Sequence, residues 1–176
     1  NKLYMATERG LIVYNIRNGR YEEQPEKAKG EIRAVTCYDG RLWFGGAQGL
    51  FSCNMQLGDI RIESKTLHNV YSLLATKYGL LVGTISGLTL FRHGKAAMPI
   101  RIGNGMQPLV NALLSDGNAV WIGTEGALYR YDEKHLEVIP ALSGNSVKSL
   151  SAYGNLIYAG TDNGLYTYNK LNGTIV

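Results

Sequence analysis

The stretch VWIGTEGAL, residues Val120 to Leu128, joins a short apolar run to a pair of small residues, a short gap and a leucine. Four other stretches of the 176-residue chain have the same layout. The position that Gly123 occupies recurs along the chain at steps of 39, 38, 40 and 37 residues. A period of this length with strand-type content predicts one four-stranded propeller blade per repeat. The other four copies are LYMATERGL (Leu3 to Leu11), LWFGGAQGL (Leu42 to Leu50), LLVGTISGL (Leu80 to Leu88) and IYAGTDNGL (Ile157 to Leu165).

The composition fits an all-β globular protein, with 45% apolar residues, 18% charged residues and 22 glycines. The formal net charge of +4 is spread along the chain, and without a basic stripe we expect no nucleic-acid partner. No apolar run approaches the roughly 18 residues of a membrane helix. We therefore expect no membrane span. The absence of a leader pattern and the start of the chain within a strand pattern predict a trimmed piece of a longer protein.

A second recurring segment precedes four of the five apolar runs and predicts the first strand of each blade, strand A. Its third position is always Ala or Ser, which favours a place near the propeller axis, where blades crowd together. A turn containing Gly40, Gly79, Gly117 or Gly154 follows, as expected where a hairpin needs positive φ. The four segments begin at Ile32, Val70, Val110 and Val147.

The apolar run itself predicts strand B. Three consecutive apolar residues, such as Val120-Trp121-Ile122, indicate a strand covered on both faces. Strand C opens at the next Gly-Leu, and Gly46 and Ala127 are expected to be mild departures from the repeat. An irregular outer strand D follows, with examples at residues 20–24, 60–64 and 136–139 and a short last copy at 174–176.

The strand count predicts an all-β β-propeller of four-stranded antiparallel blades. About five blades are present, and the first lacks its inner strand because strand A occurs only four times. We expect the whole chain, residues 1–176, to be one propeller fragment and an arc of a larger ring. Such an arc would expose an apolar face and an unpaired strand edge, which predicts self-association or further blades of a parent protein. The predicted blade units are residues 1–29, 30–67, 68–107, 108–145 and 146–176.

The two cysteines, Cys37 and Cys53, fall on strands A and C of one blade. Strands two apart are separated by roughly 9.6 Å, beyond the roughly 7 Å limit on the Cα separation of a disulfide. We therefore predict two free, buried thiols.

The string from Val110 to Asp132 resembles the two-component regulator propeller repeat almost throughout, and the other copies share its frame. That repeat occurs in extracytoplasmic sensor regions of hybrid two-component systems, especially in gut Bacteroidetes, where it builds seven-bladed propellers. The resemblance implies a periplasmic location and a response to polysaccharide breakdown products, passed to a histidine kinase and a DNA-binding domain. This chain carries no kinase motif, so the resemblance implies sensing or assembly and not phosphotransfer.

Reactive side chains do not form a recognisable catalytic pattern. Of the three histidines, His68 falls just before a strand A, whereas His93 and His135 fall at C-to-D turns near the rim. They therefore cannot share a metal. No nucleophile stands beside a base. Carboxylates recur at B-to-C connections, where they could bind a cation or simply suit a turn open to water. We predict no catalysis, no cofactor and no metal; the recurring carboxylates are Glu8, Glu125 and Asp162.

Ligands of propellers gather where D-to-A and B-to-C connections meet around the axis, and this architecture nominates a set of polar residues. Four of them share the second position of strand A, beside the predicted channel. An alternative is that each residue only fills or solvates the channel mouth. The candidate ligand-binding residues are Arg9, Arg33, Gln48, His68, Asn69, Tyr71, Gln107, Asn111, Glu125, Asn145, Lys148, Asp162 and Asn163.

Three functions are consistent with these features. The first is a sensor propeller that recognises a ligand, such as an oligosaccharide, or arranges a receptor dimer. The second is a protein-binding scaffold without a small ligand. The third is a propeller lyase, which would need a histidine clustered with a carboxylate or a metal, and the sequence offers no such cluster.

Overall fold

The computed structural model describes residues 1–22, 28–64, 66–92, 96–132 and 134–175. Within these residues the chain forms eighteen strands in five antiparallel sheets, and within each sheet the strands that are consecutive in sequence pair with each other. A short 3-10 helix occupies Pro140–Leu142. The predicted all-β propeller fold is confirmed, with one sheet for each repeat. Among the described residues no helix has the length and apolarity needed to cross a membrane.

The chain divides into two compact units, Asn1–Ala75 and Thr76–Val176. The first unit contains the first and second sheets and residues 70–75 of β8. The first sheet consists of β1 (Lys2–Thr7), β2 (Gly10–Asn15) and β3 (Arg20–Glu22). The second sheet consists of β4 (Ile32–Tyr38), β5 (Arg41–Gly46), β6 (Gly49–Cys53) and β7 (Arg61–Ser64).

The second unit begins at Thr76, the last residue of β8, and contains β9 to β18. The third sheet has β8 (Val70–Thr76), β9 (Gly79–Thr84), β10 (Gly87–Phe91) and β11 (Met98–Ile100). The fourth has β12 (Val110–Asp116), β13 (Ala119–Thr124), β14 (Leu128–Tyr131) and β15 (Leu136–Val138). The fifth has β16 (Val147–Tyr153), β17 (Leu156–Thr161) and β18 (Gly164–Asn169).

The predicted strand A segments form β4, β8, β12 and β16, and each is the edge strand of its sheet. The first sheet has no such strand, in agreement with the strand count. The predicted outer strand of the last copy is only an isolated bridge between Tyr168 and Ile175. Of the residues predicted as outer strands, residues 23 and 24 and Val176 lie outside the described residues.

Burial of strand B follows the prediction in the three middle sheets. Every residue of β9 and β13 is buried, as are all residues of β5 except the first. In β17 burial alternates, and β1 has no fully buried residue. The prediction of two covered faces is therefore wrong for β1 and β17, which belong to the first and last sheets of the chain and are packed on one face at most.

The threonine of the repeated Gly-Thr pair fixes the turn between strands B and C. The Thr124 hydroxyl donates to the carbonyl oxygen of Ala127 at 2.9 Å and accepts from the backbone N–H of the same residue at 3.0 Å. Thr7, Thr84 and Thr161 donate to the carbonyl at the equivalent position. In four of the five repeats a threonine hydroxyl therefore adds a side-chain bond to the backbone of this turn.

Thr124→Val is expected to lower the free energy of unfolding by about 1–3 kcal/mol, because it leaves the buried backbone N–H of Ala127 without its acceptor. Urea unfolding measures the change. Thr161→Val is the control: Thr161 makes the same bond at 2.9 Å, but in an exposed turn that water can satisfy. Equal losses for the two variants would contradict the burial argument.

The small residues of the repeat allow neighbouring sheets to approach closely within each unit. A Cβ atom built on Gly45 would lie 2.8 Å from Val70, and one on Gly123 would lie 2.7 Å from Val147. Both valines open the strand A that follows in sequence. A Cβ on Gly46 would lie 1.9 Å from the carbonyl oxygen of Glu31. The expectation that Gly46 is a mild departure is therefore wrong, because backbone occupies the space that threonine fills in other repeats.

Each unit has an apolar core between its sheets. In the first unit, side chains of β2, β4 and β5 pack around Phe44, which stacks on Phe51 at 5.7 Å between ring centroids. In the second unit, Trp121 packs with Leu128 and Val147 and with Ile157 of the fifth sheet. These cores hold the sheets that carry the candidate site residues.

Both cysteines are free, and they lie on β4 and β6 with β5 between them, as predicted. Cys53 is buried, but Cys37 is exposed, so the prediction of two buried thiols is wrong for Cys37. The reason is that β4 is an edge strand, and residues near its end are left open. Burial raises the pKa of Cys53, which keeps that thiol protonated.

One thiol of the folded chain, Cys37, is expected to react rapidly with iodoacetamide. A buried thiol with a raised pKa exposes little thiolate, so Cys53 should react only after unfolding. Mass spectrometry of the labelled peptides tests this. Cys37→Ser should abolish rapid labelling, and rapid labelling of Cys53 in the folded chain would show that the second sheet opens readily.

Candidate functional site

The second position of strand A is a β-bulge in three sheets, a feature that the sequence pattern did not reveal. The strand register shifts between Ile32 and Ala34, between Val110 and Ala112, and between Val147 and Ser149. The residue within each shift has no Cα partner on strand B. A bulge bends the strand and redirects its side chain. The bulge residues are Arg33, Asn111 and Lys148, three of the four nominated at this position.

In the first unit, Arg33 is the centre of a polar cluster. Its guanidinium group donates to both carboxylate oxygens of Glu31, at 2.8 and 3.0 Å. It also donates to Oδ1 of Asn69 at 3.2 Å, and its Cζ atom lies 4.4 Å from the ring centroid of Tyr71. The structure thus joins three predicted site residues and adds Glu31, which sequence reasoning missed because it precedes the strand.

The remaining candidates of the first unit are exposed. Gln48 lies on the B-to-C turn of the second sheet, close to Gly30, and His68 lies shortly before β8. Arg9 lies on the B-to-C turn of the first sheet, where its backbone N–H donates to the Thr7 hydroxyl. These side chains are open to solvent and form no shared cluster with Arg33 among the contacts of this unit.

In the second unit, two candidates support the backbone. The Asn111 side chain donates to the carbonyl oxygen of Val147 at 3.1 Å and so links β12 to β16. The Gln107 side chain accepts from the backbone N–H of Ile102 at 2.8 Å and closes the loop before β12. Glu125 is exposed, and its backbone N–H donates to the carbonyl of Leu109 at 3.1 Å. Asn111 and Gln107 are therefore already engaged within the protein.

Four further candidates meet in pairs at one end of the fifth sheet. Asn163 donates to Oδ1 of Asn145 at 3.0 Å. The Nζ atom of Lys148 lies 3.7 Å from Oδ1 of Asp162, and both side chains are more than half exposed. An ion pair this open and this long contributes little stability, which leaves both groups available to a ligand.

The described residues contain no group of three or more His, Cys, Asp or Glu residues placed to hold a metal ion. His135 lies 3.4 Å from Asp132 in the C-to-D turn of the fourth sheet. Backbone N–H groups of His135 and Lys134 hold the pKa of Asp132 below its ordinary value. The bonds between Asp132 and the residues 134 and 135 therefore stabilise a surface turn. The third histidine, His93, lies outside the described residues.

A cavity of about 360 Å³ lies at the opposite end of the sheets in the second unit, and sequence reasoning missed it. It opens between the fourth and fifth sheets, at the end where strand A turns into strand B. Lys170 and Asp116 form an ion pair of 2.6 Å in its wall, although they are 54 residues apart in sequence. The lining residues are Asp116, Asn118, Ala119, Trp121, Arg130, Glu137, Tyr168 and Lys170.

No protein-family model and no curated protein sequence matches the chain. Two solved structures of the extracellular domain of BT4673 from B. thetaiotaomicron are similar over 99% of this chain, at 32% and 33% identity. Their TM-scores are 0.87 and 0.86. BT4673 is described as a one-component system in one and as a hybrid two-component system in the other. This chain spans only 26% of the length of each.

Other solved structures share the fold at lower identity. The extracellular domain of BT3049, a hybrid two-component system of B. thetaiotaomicron, matches 99% of this chain at 18% identity with a TM-score of 0.79, over 26% of its own length. A computationally designed protein, Ika8, matches 99% of this chain at 18% identity with a TM-score of 0.72, over 57% of its own length. At this identity the likeness establishes the fold alone.

Proposed function

We propose, from the premise that this chain is built of two-component regulator propeller repeats, that it is part of the sensor region of a hybrid two-component receptor. The observation that carries the proposal is the similarity to the extracellular domain of BT4673, at 32% identity over 99% of this chain. The same similarity supports an extracytoplasmic, periplasmic location. In this function the chain recognises a ligand or arranges the receptor dimer, and it performs no catalysis.

Ligand recognition in this proposal depends, in each unit by itself, on side chains at the B-to-C end of its sheets. Lys148 and Asp162 are more than half exposed and weakly paired, so a polar ligand can engage both without disrupting the fold. Gln48 and His68 are exposed at the same end of their sheets in the first unit. Amide, cationic and carboxylate groups suit the hydroxyl groups of an oligosaccharide, the ligand class that we propose.

Arg33 has a positioning role in this proposal. Its guanidinium already contacts Glu31, Asn69 and Tyr71, so a ligand would meet a rigid surface and not a free cation. A preorganised surface loses less entropy on binding. Arg33 therefore fixes the strand A ends of the first unit while exposed neighbours contact the ligand.

The test uses the whole extracytoplasmic region of the parent receptor, titrated by calorimetry with oligosaccharides from starch, xylan and pectin. We expect saturable binding to at least one of them, weakened by Lys148→Ala. Arg20→Ala is the matched control, because Arg20 is an exposed cation at the other end of its sheet. Binding that Lys148→Ala and Asp162→Ala both leave intact would place the ligand elsewhere.

A protein-binding role is the second candidate, and exposed apolar side chains of the fifth sheet favour it. Tyr153, Leu165 and Leu171 are 79%, 68% and 76% exposed. Leu165 lies at the B-to-C end of this sheet and Tyr153 at the A-to-B end. Exposed apolar groups of this kind can be covered by another protein, a second copy or further blades. Light scattering of the chain tests self-association: a strictly monomeric chain that binds oligosaccharide would favour the sensor role alone.

A further inference from the structure

The two tryptophans of the chain occupy the same position of strand B but have different hydrogen bonding. In the second sheet, Nε1 of Trp43 donates to the carbonyl oxygen of Tyr38 at 3.1 Å. Asp116 stands at the equivalent position in the fourth sheet, yet Nε1 of Trp121 has no partner among the described residues. The Trp121 side chain is 1% exposed. Because buried N–H groups are nearly always paired, this one distinguishes the fourth sheet.

The indole of Trp121 is also part of the cavity wall, next to the ring of Tyr168. The two ring centroids are 5.6 Å apart with an interplanar angle of 59°. The partly exposed ring of Tyr168 gives the cavity an apolar surface, and the buried indole of Trp121 packs against that ring. The volume of about 360 Å³ lies near the lower end of the range for small-molecule sites, roughly 300–1,000 Å³. A ligand of monosaccharide size fits this space.

The polar lining is balanced in charge. Lys170 pairs with Asp116 at 2.6 Å, and Arg130 pairs with Glu137 at 2.9 Å. Two cations and two carboxylates cancel, so a charged ligand would leave one group without its partner. Each carboxylate can still accept further hydrogen bonds, and the guanidinium keeps unused donors. Hydroxyl groups, which both donate and accept, can engage these groups with both ion pairs intact.

We infer that this cavity binds a neutral polyhydroxylated ligand, a monosaccharide in chemical class. Carboxylates of Asp116 and Glu137 accept from its hydroxyls, and Arg130, Lys170 and Asn118 donate to its oxygens. The ring of Tyr168, packed against the buried indole of Trp121, covers its apolar face. The site lies at the opposite end of the sheets from the B-to-C turns. The inference of this site goes beyond the proposed function, because it depends only on the residues of the cavity and not on a sensor role of the chain.

Nuclear magnetic resonance of the ¹⁵N-labelled 176-residue chain tests the inference through the two indole N–H signals, which Trp43→Phe assigns. Glucose, galactose, mannose and arabinose are added separately at about 10 mM, which detects millimolar dissociation constants. At least one sugar is expected to shift the Trp121 signal saturably and to leave the Trp43 signal in place. Asp116→Asn and Lys170→Met are each expected to weaken binding about tenfold or more, roughly 1.4 kcal/mol.

The matched controls are Lys2→Met and Glu22→Gln, which break an ion pair of the same 2.6 Å length in the first unit. They should leave the affinity unchanged. The inference is overturned if none of the four sugars shifts the Trp121 signal of the folded chain, if glucuronate or glycine binds more tightly, or if the cavity variants bind as well as the controls. None of these results bears on the sensor proposal, which is judged by the parent receptor.

Discussion

Gly46→Thr is expected to destabilise the unit Asn1–Ala75 by about 3 kcal/mol or more, although threonine stands at this position in the other four repeats. A Cβ atom on Gly46 would lie 1.9 Å from the carbonyl oxygen of Glu31 and 3.0 Å from the Cα of Ile32. Both are backbone atoms and cannot rotate away. In the Gly46→Thr variant the backbone before β4 must therefore shift, or the pairing of β4 with β5 is lost.

Urea unfolding of Gly46→Thr measures the effect, with Gly126→Thr as the control. Gly126 lies on the equivalent B-to-C connection of the fourth sheet, and a Cβ atom there would meet nothing within 4 Å. We expect the control to change the unfolding free energy by less than about 1 kcal/mol, the cost typical of a surface substitution. A stabilised Gly46→Thr variant would mean that the repeat consensus outweighs this backbone approach.

Gly123→Val is expected to destabilise the second unit by about 3 kcal/mol, because overpacking a close contact forces neighbours apart. A Cβ atom on Gly123 would lie 2.7 Å from Cγ1 and 3.1 Å from Cβ of Val147. Strand propensity alone predicts the opposite, since valine favours strands and glycine weakens them. The sign of the change therefore separates the two effects.

Thermal and urea unfolding of Gly123→Val and Gly126→Val give the comparison. The control places the same side chain three residues away, in open space, so it should lose little stability. A second variant, Gly123→Val with Val147→Ala, should recover part of the loss, because it removes the side chain that the new methyl groups meet. If the double variant recovers none of the lost unfolding free energy, the contact with Val147 is not the cause of the destabilisation.

The sequence predicted the strands well because each strand type has a local signature. Strand A begins at its Val or Ile. In four of the five sheets strand C begins at the Gly of Gly-Leu, with φ of 122° at Gly10 and 118° at Gly164. Only glycine reaches such values without strain. The turns and the order of strands within a sheet follow from neighbours in sequence, which a repeat displays directly.

The candidate site was predicted less completely, because its geometry depends on side chains distant in sequence. The bulge that turns Arg33 out of the ladder leaves no mark on the repeat, and neither does the ion pair of Arg33 with Glu31. The pair Lys170–Asp116 joins two sheets across 54 residues. Cys37 is exposed because of its place on an edge strand, which its apolar neighbours in sequence do not reveal.

The central claim is that this chain is one part of a sensor propeller in a two-component receptor. Sequencing the reading frame on both sides of Asn1 and Val176 tests it most directly. We predict further repeats of the same layout, then a membrane-spanning helix and a histidine kinase downstream. A reading frame that encodes no membrane-spanning helix and no histidine kinase would contradict the sensor function. A frame that joins the repeats to a catalytic domain other than a kinase would contradict it as well.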